Sequence, residues 1–134
     1  MSNYHQNTCL SETTLVLEES INQFIEYARE CVPNEACALI YNNQLHLSEN
    51  KASLPTEHFV IPLSDMVKAY ESPTGIQLVL HSHPKSSPEP SPTDIEGMKT
   101  SRAAWLIFSI KHQTLWIGEN GQGQISRVPK YALC

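Results

Sequence analysis

The chain has 134 residues, the length of one ordinary domain, and its sequence is 40% hydrophobic and 17% charged. These proportions are typical of globular proteins and exclude disordered, collagen-like and membrane-embedded classes. The formal net charge of -5 argues against a nucleic-acid surface, because phosphate binding requires clustered Lys and Arg and the 9 basic residues are scattered. We therefore expect a single domain that binds neither nucleic acid nor a membrane.

The start of the chain and its cysteines indicate the compartment. The polar residues 1–8 lack the basic start and apolar stretch of a secretory signal peptide, so we expect a cytoplasmic protein. The 4 cysteines show no Cys-x-x-Cys spacing, which favours reduced thiols over disulfides or a zinc cluster. We expect Cys37 to pack in the core and Cys134 to be exposed.

The first predicted element is an amphipathic helix. We assign residues 1–14 to a flexible N-terminus and residues 15–134 to one domain. Apolar residues recur at helical spacing from Leu17, and Pro33 ends that segment. The next predicted elements are a β-hairpin of residues 37–41 and 45–47 around Asn42-Asn43, a strand over residues 58–61, and a helix from Pro62 to about Glu71.

The second half of the chain begins with a strand. Residues 76–80 form a near-continuous apolar run, typical of a strand buried on both faces at the centre of a sheet, and His81 follows at its end. After a proline-rich loop, Ser91 is expected to cap a helix that starts at Pro92. That helix is predicted to end near Ser101, and further strands are predicted over residues 105–110, 115–118 and 124–128. This order lacks regular βαβ alternation and predicts an α+β fold in which helices flank one curved, mixed sheet.

Two histidines and an aspartate form a candidate metal site. His81 and His83 lie at the end of a strand, where strand periodicity points both side chains to the same side. Asp94 begins the next helix, and the loop between them is long enough to return it to the strand end. Two imidazoles and a carboxylate are the ligand pattern of catalytic zinc, with a fourth position left to water. Imidazole ligands favour Zn²⁺ over Mg²⁺.

Each piece of this pattern also has a plain structural explanation. Polar residues such as a His-x-His pair are common at exposed strand ends, and Ser91 with Asp94 fits a capping box at a helix start. Capping and metal binding are compatible, because an aspartate in a first helical turn can direct one oxygen towards an ion. We expect His5, His46, His58 and His112 at the surface, and Trp105 and Trp116 in packing roles.

The joint pattern resembles the signature of the JAMM (MPN) metallopeptidase family. Two histidines separated by one residue, a proline, six residues, a serine, two residues and an aspartate stand at His81, His83, Pro84, Ser91 and Asp94. The resemblance implies a single-domain JAMM/MPN fold of the cytidine-deaminase-like type. It also implies a zinc ion held by the two histidines and the aspartate.

The family also has a glutamate soon after its first helix, and Glu35 matches that position. Ala38 stands where the family usually has glycine. The resemblance implies that Glu35 takes a proton from the zinc-activated water and passes it to the leaving nitrogen. It implies that Ser91 stabilises the carbonyl oxygen that gains charge. Without the metal motif, Glu35 would be interpreted as a solvated carboxylate in a turn.

Further segments indicate a branch of the family. Residues 50–52 followed by Pro55, residues 59–61 and residues 104–109 look like the metallopeptidase portion of bacteriophage tail-tip assembly proteins. This likeness implies a zinc metallopeptidase or isopeptidase that acts on phage tail proteins in the cytoplasm of a bacterial or phage-infected cell. We expect an extended protein segment as substrate, paired with sheet edges beside the site.

Two other functions stay open. One is a cytosolic peptidase that processes a ubiquitin-like sulfur-carrier protein. The other is a non-catalytic tail assembly component in which the metal only braces the fold. Because a purely structural zinc site is usually closed by four protein ligands, the three-ligand set favours an enzyme.

Overall fold

The computed structural model describes the backbone of residues 9–10, 12–128 and 132–133, and the side chains of residues 17–128. In chain order the elements are β1 (Cys9–Leu10), α1 (Glu12–Cys31), β2 (Cys37–Tyr41), β3 (Gln44–Ser48), α2 (Leu63–Glu71), β4 (Leu78–His83), α3 (Pro92–Ser101), β5 (Trp105–Ser109), β6 (Thr114–Glu119), β7 (Gln122–Arg127) and β8 (Ala132–Leu133). No helix in this part of the chain is long and apolar enough to cross a membrane. Most of the predicted flexible segment 1–14 lies outside the described residues, as do His5 and Cys134.

Six strands form one mixed sheet in the order β3-β2-β4-β5-β6-β7. β4 and β5 run parallel, whereas every other neighbouring pair in this sheet runs antiparallel. The short strands β1 and β8 form a separate parallel pair. β4 lies inside the large sheet, and all its residues are buried. The predicted α+β fold is confirmed, with helices and one mixed sheet.

The sheet has an apolar core on each face. On one face, Phe24 and Ile25 of α1 pack with Leu80 of β4 in a cluster of buried residues. On the other face, Val79 of β4 belongs to a second cluster with Met98 of α3. Because successive strand residues point to opposite faces, the odd-numbered residues of β4 face α2 and α3. The two histidines of β4 therefore lie on that second face.

The hairpin and the capped helix agree with the sequence. Asn42 and Asn43 have φ values of 53° and 58°, the left-handed backbone that a two-residue hairpin turn requires. α3 begins at Pro92 with Ser91 as its N-cap. These predictions depend on short-range chemistry, and they are confirmed.

The aromatic and thiol side chains also lie where expected. Trp105 and Trp116 are buried in the second-face core. Cys31 and Cys37 carry free thiols, and Cys37 is fully buried. Burial raises the pKa of the Cys37 thiol to about 12, so this thiol stays protonated and its role is packing.

The predicted strand over residues 58–61 is wrong, because this segment belongs to a loop without strand pairing. The cause is the side chain of Asn50, which satisfies backbone groups that a strand would offer to a neighbour. Its amide group donates to the carbonyl oxygens of Glu35, Pro55 and His58, and its carbonyl oxygen accepts from the N–H groups of Ala52 and Val60, at 2.9–3.4 Å.

Two element boundaries and one edge also differ from expectation. α1 begins at Glu12 rather than near Leu17, and β4 begins at Leu78 and continues through His83. We expected a sheet edge beside the histidines. This expectation is wrong, because the edge strands of the large sheet are β3 and β7 and the histidines lie on β4. β2 separates β4 from one edge, and β5 and β6 separate it from the other. A peptide strand therefore cannot pair directly with β4.

Candidate metal centre

The end of β4 carries both candidate histidines. His81 pairs in register with Cys37 of β2 and Ile107 of β5, and His83 pairs with Ser109 of β5. The strands on both sides thus fix the backbone of the histidine segment. His81 is fully buried, and His83 is 7% exposed. Their rings lie on one face, as the strand period predicts.

Asp94 reaches the same place from the first turn of α3. Ser91 Oγ accepts a hydrogen bond from the Asp94 N–H at 3.0 Å, and Asp94 Oδ2 accepts one from the Ser91 N–H at 3.0 Å. This reciprocal capping box fixes the direction of the aspartate side chain. Both explanations of Asp94 from sequence therefore hold together: it caps its helix, and its carboxylate faces the two histidines.

The ligand atoms of the three side chains converge. His81 Nε2 lies 3.3 Å from His83 Nε2 and 3.2 Å from Asp94 Oδ1, and His83 Nε2 lies 3.1 Å from Asp94 Oδ2. Ligands placed tetrahedrally at zinc bond lengths of about 2.0–2.1 Å lie about 3.3 Å from one another. Residues His81, His83 and Asp94 thus form a group that could hold a metal ion.

Hydrogen bonding orients one imidazole for this task. His83 Nδ1 lies 2.8 Å from the carbonyl oxygen of Ser87, which can only accept, so Nδ1 carries the hydrogen. In the neutral ring, Nε2 then presents its lone pair to His81 and Asp94. The loop that supplies Ser87 is itself fastened, because Ser109 Oγ donates to the carbonyl oxygen of Ser86 at 2.6 Å.

Burial and mutual contact displace the pKa values of these three groups. Burial lowers the pKa of His81, which favours the neutral, metal-binding imidazole. For His83, burial lowers the pKa, but hydrogen bonds to Asp94 and to the Ser87 carbonyl raise it by more. For Asp94, burial raises the pKa, but hydrogen bonds to both histidines lower it well below its usual range. The aspartate is therefore ionised throughout the physiological range.

Glu35 lies at the entrance to β2, beside this group. It is 7% exposed, and burial raises the pKa of its carboxyl to about 7. The charge of His83 opposes that rise, whereas the charges of Asp94 and Glu57 add to it. The Ala36 N–H donates to Ser82 Oγ at 2.8 Å, and the Ser82 N–H donates to the Ala36 carbonyl oxygen at 3.1 Å, so the backbone places Glu35 alongside the histidine segment of β4.

Two polar side chains that sequence reasoning did not assign hold the Glu35 backbone. Ser82, between the two histidines, faces the other side of the sheet, and its Oγ accepts from the Ala36 N–H at 2.8 Å. Asn50 Nδ2 donates to the Glu35 carbonyl oxygen at 3.0 Å. In the sequence, Asn50 stood out only as part of residues 50–52, one of the segments compared with the phage tail-tip proteins. Both residues tie the glutamate segment to the strand and loop around it.

Phe59 is a further residue to which sequence reasoning gave no role in the site. Its ring stacks on the His81 ring with centroids 4.3 Å apart, and it meets the edge of Trp105 at 5.5 Å. It therefore covers a candidate ligand with an apolar surface. The other histidines behave mostly as predicted, since His58 and His112 are exposed. His46 is only half-buried and stacks on Tyr41.

Ser91 is half-buried at the start of α3, next to Asp94. Its Oγ already accepts the capping hydrogen bond from the Asp94 N–H. A hydroxyl that accepts one hydrogen bond still has its own hydrogen to donate. Ser91 can thus cap the helix and donate to a further oxygen at the same time.

Comparisons with known proteins agree with this fold. The sequence matches the family described as prokaryotic homologs of the JAB domain over residues 17–118, which include all the candidate site residues. A JAB1/MPN domain protein from Archaeoglobus fulgidus has a similar structure, with 17% sequence identity, a TM-score of 0.55, and coverage of 86% of this chain and 95% of that chain. A protein from Desulfitobacterium hafniense, solved in solution, has 20% identity and a TM-score of 0.55 over 86% of this chain and 91% of its own. No curated protein matches the sequence significantly.

The raised pKa of Glu35 predicts a pH-dependent change in stability. In metal-free protein, the ionised carboxylate costs stability above the folded-state pKa of about 7, and the cost vanishes below the unfolded-state value of 4.5, where both states are protonated. Glu35→Gln should therefore stabilise the chelator-treated protein by roughly 1 to 3 kcal/mol at pH 8, allowing for partial screening by solvent, and by much less at pH 5. Urea unfolding at the two pH values measures this difference.

The exposed carboxylate of Glu119 is the control for this prediction. Glu119→Gln should leave stability nearly unchanged at both pH values. A Glu35→Gln gain that is equal at pH 5 and pH 8 would contradict the assigned burial of the Glu35 charge.

The bonds of Asn50 predict a second effect. Asn50→Ala should destabilise the protein by roughly 2 to 4 kcal/mol, because it leaves several loop N–H and C=O groups without partners. Amide hydrogen exchange at Ala52 and Val60 should become faster, since both N–H groups bond to the Asn50 side chain. The exposed Asn34 provides a control, and Asn34→Ala should change neither property. Unchanged exchange in Asn50→Ala would show that the loop holds without this side chain.

Proposed function

The chain belongs to the family of prokaryotic homologs of the JAB domain, and from this we propose that it is a zinc-dependent hydrolase that cleaves amide bonds in proteins. One observation carries the proposal. Two histidine nitrogens and a carboxylate converge at tetrahedral ligand distances, next to a buried glutamate whose pKa is close to neutrality. The candidate metal ligands thus lie near a carboxyl group that is suited to proton transfer.

The donor set fits zinc. Two imidazoles with one carboxylate suit Zn²⁺, whereas Mg²⁺ prefers oxygen ligands. Among the described residues, the group contains no fourth His, Cys, Asp or Glu. Three protein ligands leave a coordination position open, which is the arrangement of catalytic rather than structural zinc. The bound ion would supply Lewis acidity, activating a water molecule and polarising the carbonyl group of the amide.

Glu35 would transfer the proton. A base works best when its pKa lies near the working pH, because it then both accepts and returns a proton readily. In the metal-free protein, burial raises the pKa of Glu35 to about 7, compared with the ordinary value of 4.5. Its carboxylate would accept the proton of the attacking water and donate it to the leaving nitrogen. Ser82 and Asn50 would hold the Glu35 backbone in place for both steps.

Ser91 would stabilise the developing charge on the carbonyl oxygen. Its hydroxyl lies beside Asp94, and the capping bond fixes its position without using its hydrogen. Donors placed before the reaction begins stabilise a new negative charge without further rearrangement. The remaining hydrogen of Ser91 is such a donor.

We further propose that the substrate is an extended protein segment in phage tail assembly. The support is the likeness of residues 50–52 with Pro55, residues 59–61 and residues 104–109 to the metallopeptidase portion of phage tail-tip assembly proteins. In the structure, the first two of these segments lie in the loop braced by Asn50, and Phe59 within it stacks on His81. The segment that resembles the phage proteins therefore borders the candidate metal centre.

Metal content provides the first test. Purified protein should hold about one zinc ion per chain, and His81→Ala/His83→Ala should lose it, because two of three ligands are removed. Elemental analysis after dialysis measures the ratio. His58→Ala/His112→Ala is a matched control, since both of these side chains are exposed and should be irrelevant to binding. Zinc retained by the first double variant at the parent level would reject the ligand assignment.

Activity provides the second test. Glu35→Gln should abolish hydrolysis while zinc content stays at the parent level, because the amide keeps the shape but cannot accept the proton. Ser91→Ala should lower kcat by a factor of roughly 10 to 1,000 and cost about 1 kcal/mol through the lost helix cap. Ser91→Thr keeps the hydroxyl, so it should retain much of the turnover and much of the stability that the helix cap provides. Normal turnover in Glu35→Gln would remove the glutamate from the mechanism.

The biological setting has its own experiment. Zinc-loaded protein is incubated with phage tail proteins and with ubiquitin-like sulfur carriers that bear C-terminal extensions, with Glu35→Gln as the inactive control. We expect cleavage of a tail protein that depends on Glu35. Cleavage of a carrier alone would favour the sulfur-carrier peptidase. Stable incorporation into tails without any cleavage would favour the assembly component.

A further inference from the structure

A pocket of about 370 Å³ lies directly beside the candidate metal centre, and Asp94 lines both. Its floor is formed by Val79 of β4 and Trp105 of β5. One wall is the loop of residues 57–61 with α2, and the opposite wall is α3. Its volume is at the lower end of the range of about 300–1,000 Å³ that is usual for ligand sites.

The loop and α2 give the pocket an apolar wall. The apolar residues of this wall are Phe59, Val60, Ile61, Met66 and Tyr70, and Glu57 and His58 line the same side. Val60 is 51% exposed and Tyr70 is 53% exposed, so part of this apolar surface faces solvent. A concave apolar surface of this kind gains stability when an apolar group displaces its water.

Several polar atoms of the opposite side are already bonded within the protein. Trp105 Nε1 donates to Ser101 Oγ at 2.9 Å, and Thr100 Oγ1 donates to the Glu96 carbonyl oxygen at 3.1 Å. A polar ligand would have to compete with these bonds. An apolar ligand leaves them intact, and it loses no hydrogen bond of its own on entering.

We propose that this pocket binds a bulky apolar side chain of the substrate, such as Leu, Ile, Met or Phe, beside the cleaved amide. The inference depends on the proposed amide hydrolase function, and it adds the substrate class. Phe59 gives the geometric reason, because the same ring lines the pocket and stacks on His81 at 4.3 Å. An occupant of the pocket therefore lies next to a metal ligand. A diglycine tail would leave the apolar wall exposed.

A peptide pool tests this specificity. Zinc-loaded protein is incubated with peptides of diverse sequence, and mass spectrometry identifies the cleaved bonds. Bulky apolar residues should be enriched within a few residues of the cut. A matched peptide with Leu at the preferred position should have a kcat/KM about 10 to 100 times that of its Gly counterpart. Equal rates for Leu and Gly, or a preference for diglycine, would overturn the inference.

Two pairs of variants locate the effect in the pocket. Thr100→Phe places a ring in the pocket and should remove the preference for Leu over Gly, whereas Lys99→Phe, on the adjacent exposed residue outside the pocket, should retain it. Tyr70→Ala removes part of the wall and should weaken the preference, whereas Leu63→Ala on the same helix should not. Because Tyr70 and Leu63 are both largely exposed, these alanine variants are expected to fold. Equal preferences in parent and Tyr70→Ala would contradict the pocket assignment.

A binding measurement separates this inference from the proposed function. The zinc-loaded Glu35→Gln variant is titrated with the Leu and Gly peptides, and the indole N–H signal of Trp105 is followed by NMR. The Leu peptide should shift this signal at concentrations where the Gly peptide does not. Such binding, together with no cleavage of any peptide by the zinc-loaded parent protein, would support the pocket and reject the hydrolase. Cleavage with no Leu-dependent shift would support the hydrolase and reject the pocket.

Discussion

The carboxylate of Asp94 is the point on which the arrangement depends. Its Oδ2 accepts from the Ser91 N–H in the capping box at the start of α3 and lies 3.1 Å from His83 Nε2, while its Oδ1 lies 3.2 Å from His81 Nε2. A helix start is a stiff element, because several hydrogen bonds fix its first turn. The protein thus uses local helix chemistry to hold a carboxylate against the end of a buried strand. The strand β4 supplies the two imidazoles. The loop between β4 and α3 needs only to be long enough to connect these two elements.

This arrangement gathers ionisable groups where water is scarce. Glu35, His81, His83 and Asp94 are all buried, and burial disfavours the charged form of each. Hydrogen bonds keep Asp94 ionised, whereas the pKa of Glu35 rises to about 7. A divalent cation would compensate the negative charge of this group. The pKa of one carboxyl group is thus lowered and that of the other is raised. Such opposite pKa shifts are typical of functional sites in which two carboxyl groups have different roles.

The loop of residues 49–62 connects this chemistry to the surface. Asn50 ties its backbone to Glu35 on one side and to His58 and Val60 on the other. Phe59 then stacks on His81 and lines the pocket. One loop therefore holds the backbone of Glu35, covers a candidate ligand and shapes the pocket. Because the Asn50 side chain bonds the backbone on both sides of this loop, we expect a substitution of Asn50 to affect Glu35, the stacking on His81 and the pocket together.

The sequence by itself determined the features that depend on neighbouring residues. The period of a strand put His81 and His83 on one face, the Ser91 and Asp94 spacing gave the capped helix, and Asn42-Asn43 gave the hairpin turn. The tertiary structure decided the rest. Residues 58–61 read as a strand, yet they form a loop because the distant Asn50 side chain bonds their backbone. The pocket, the burial that raises the pKa of Glu35, and the interior position of β4 all arise from contacts between segments far apart in the chain. Local patterns carry no information about such contacts, since their free energy depends on which surfaces the folded chain brings together.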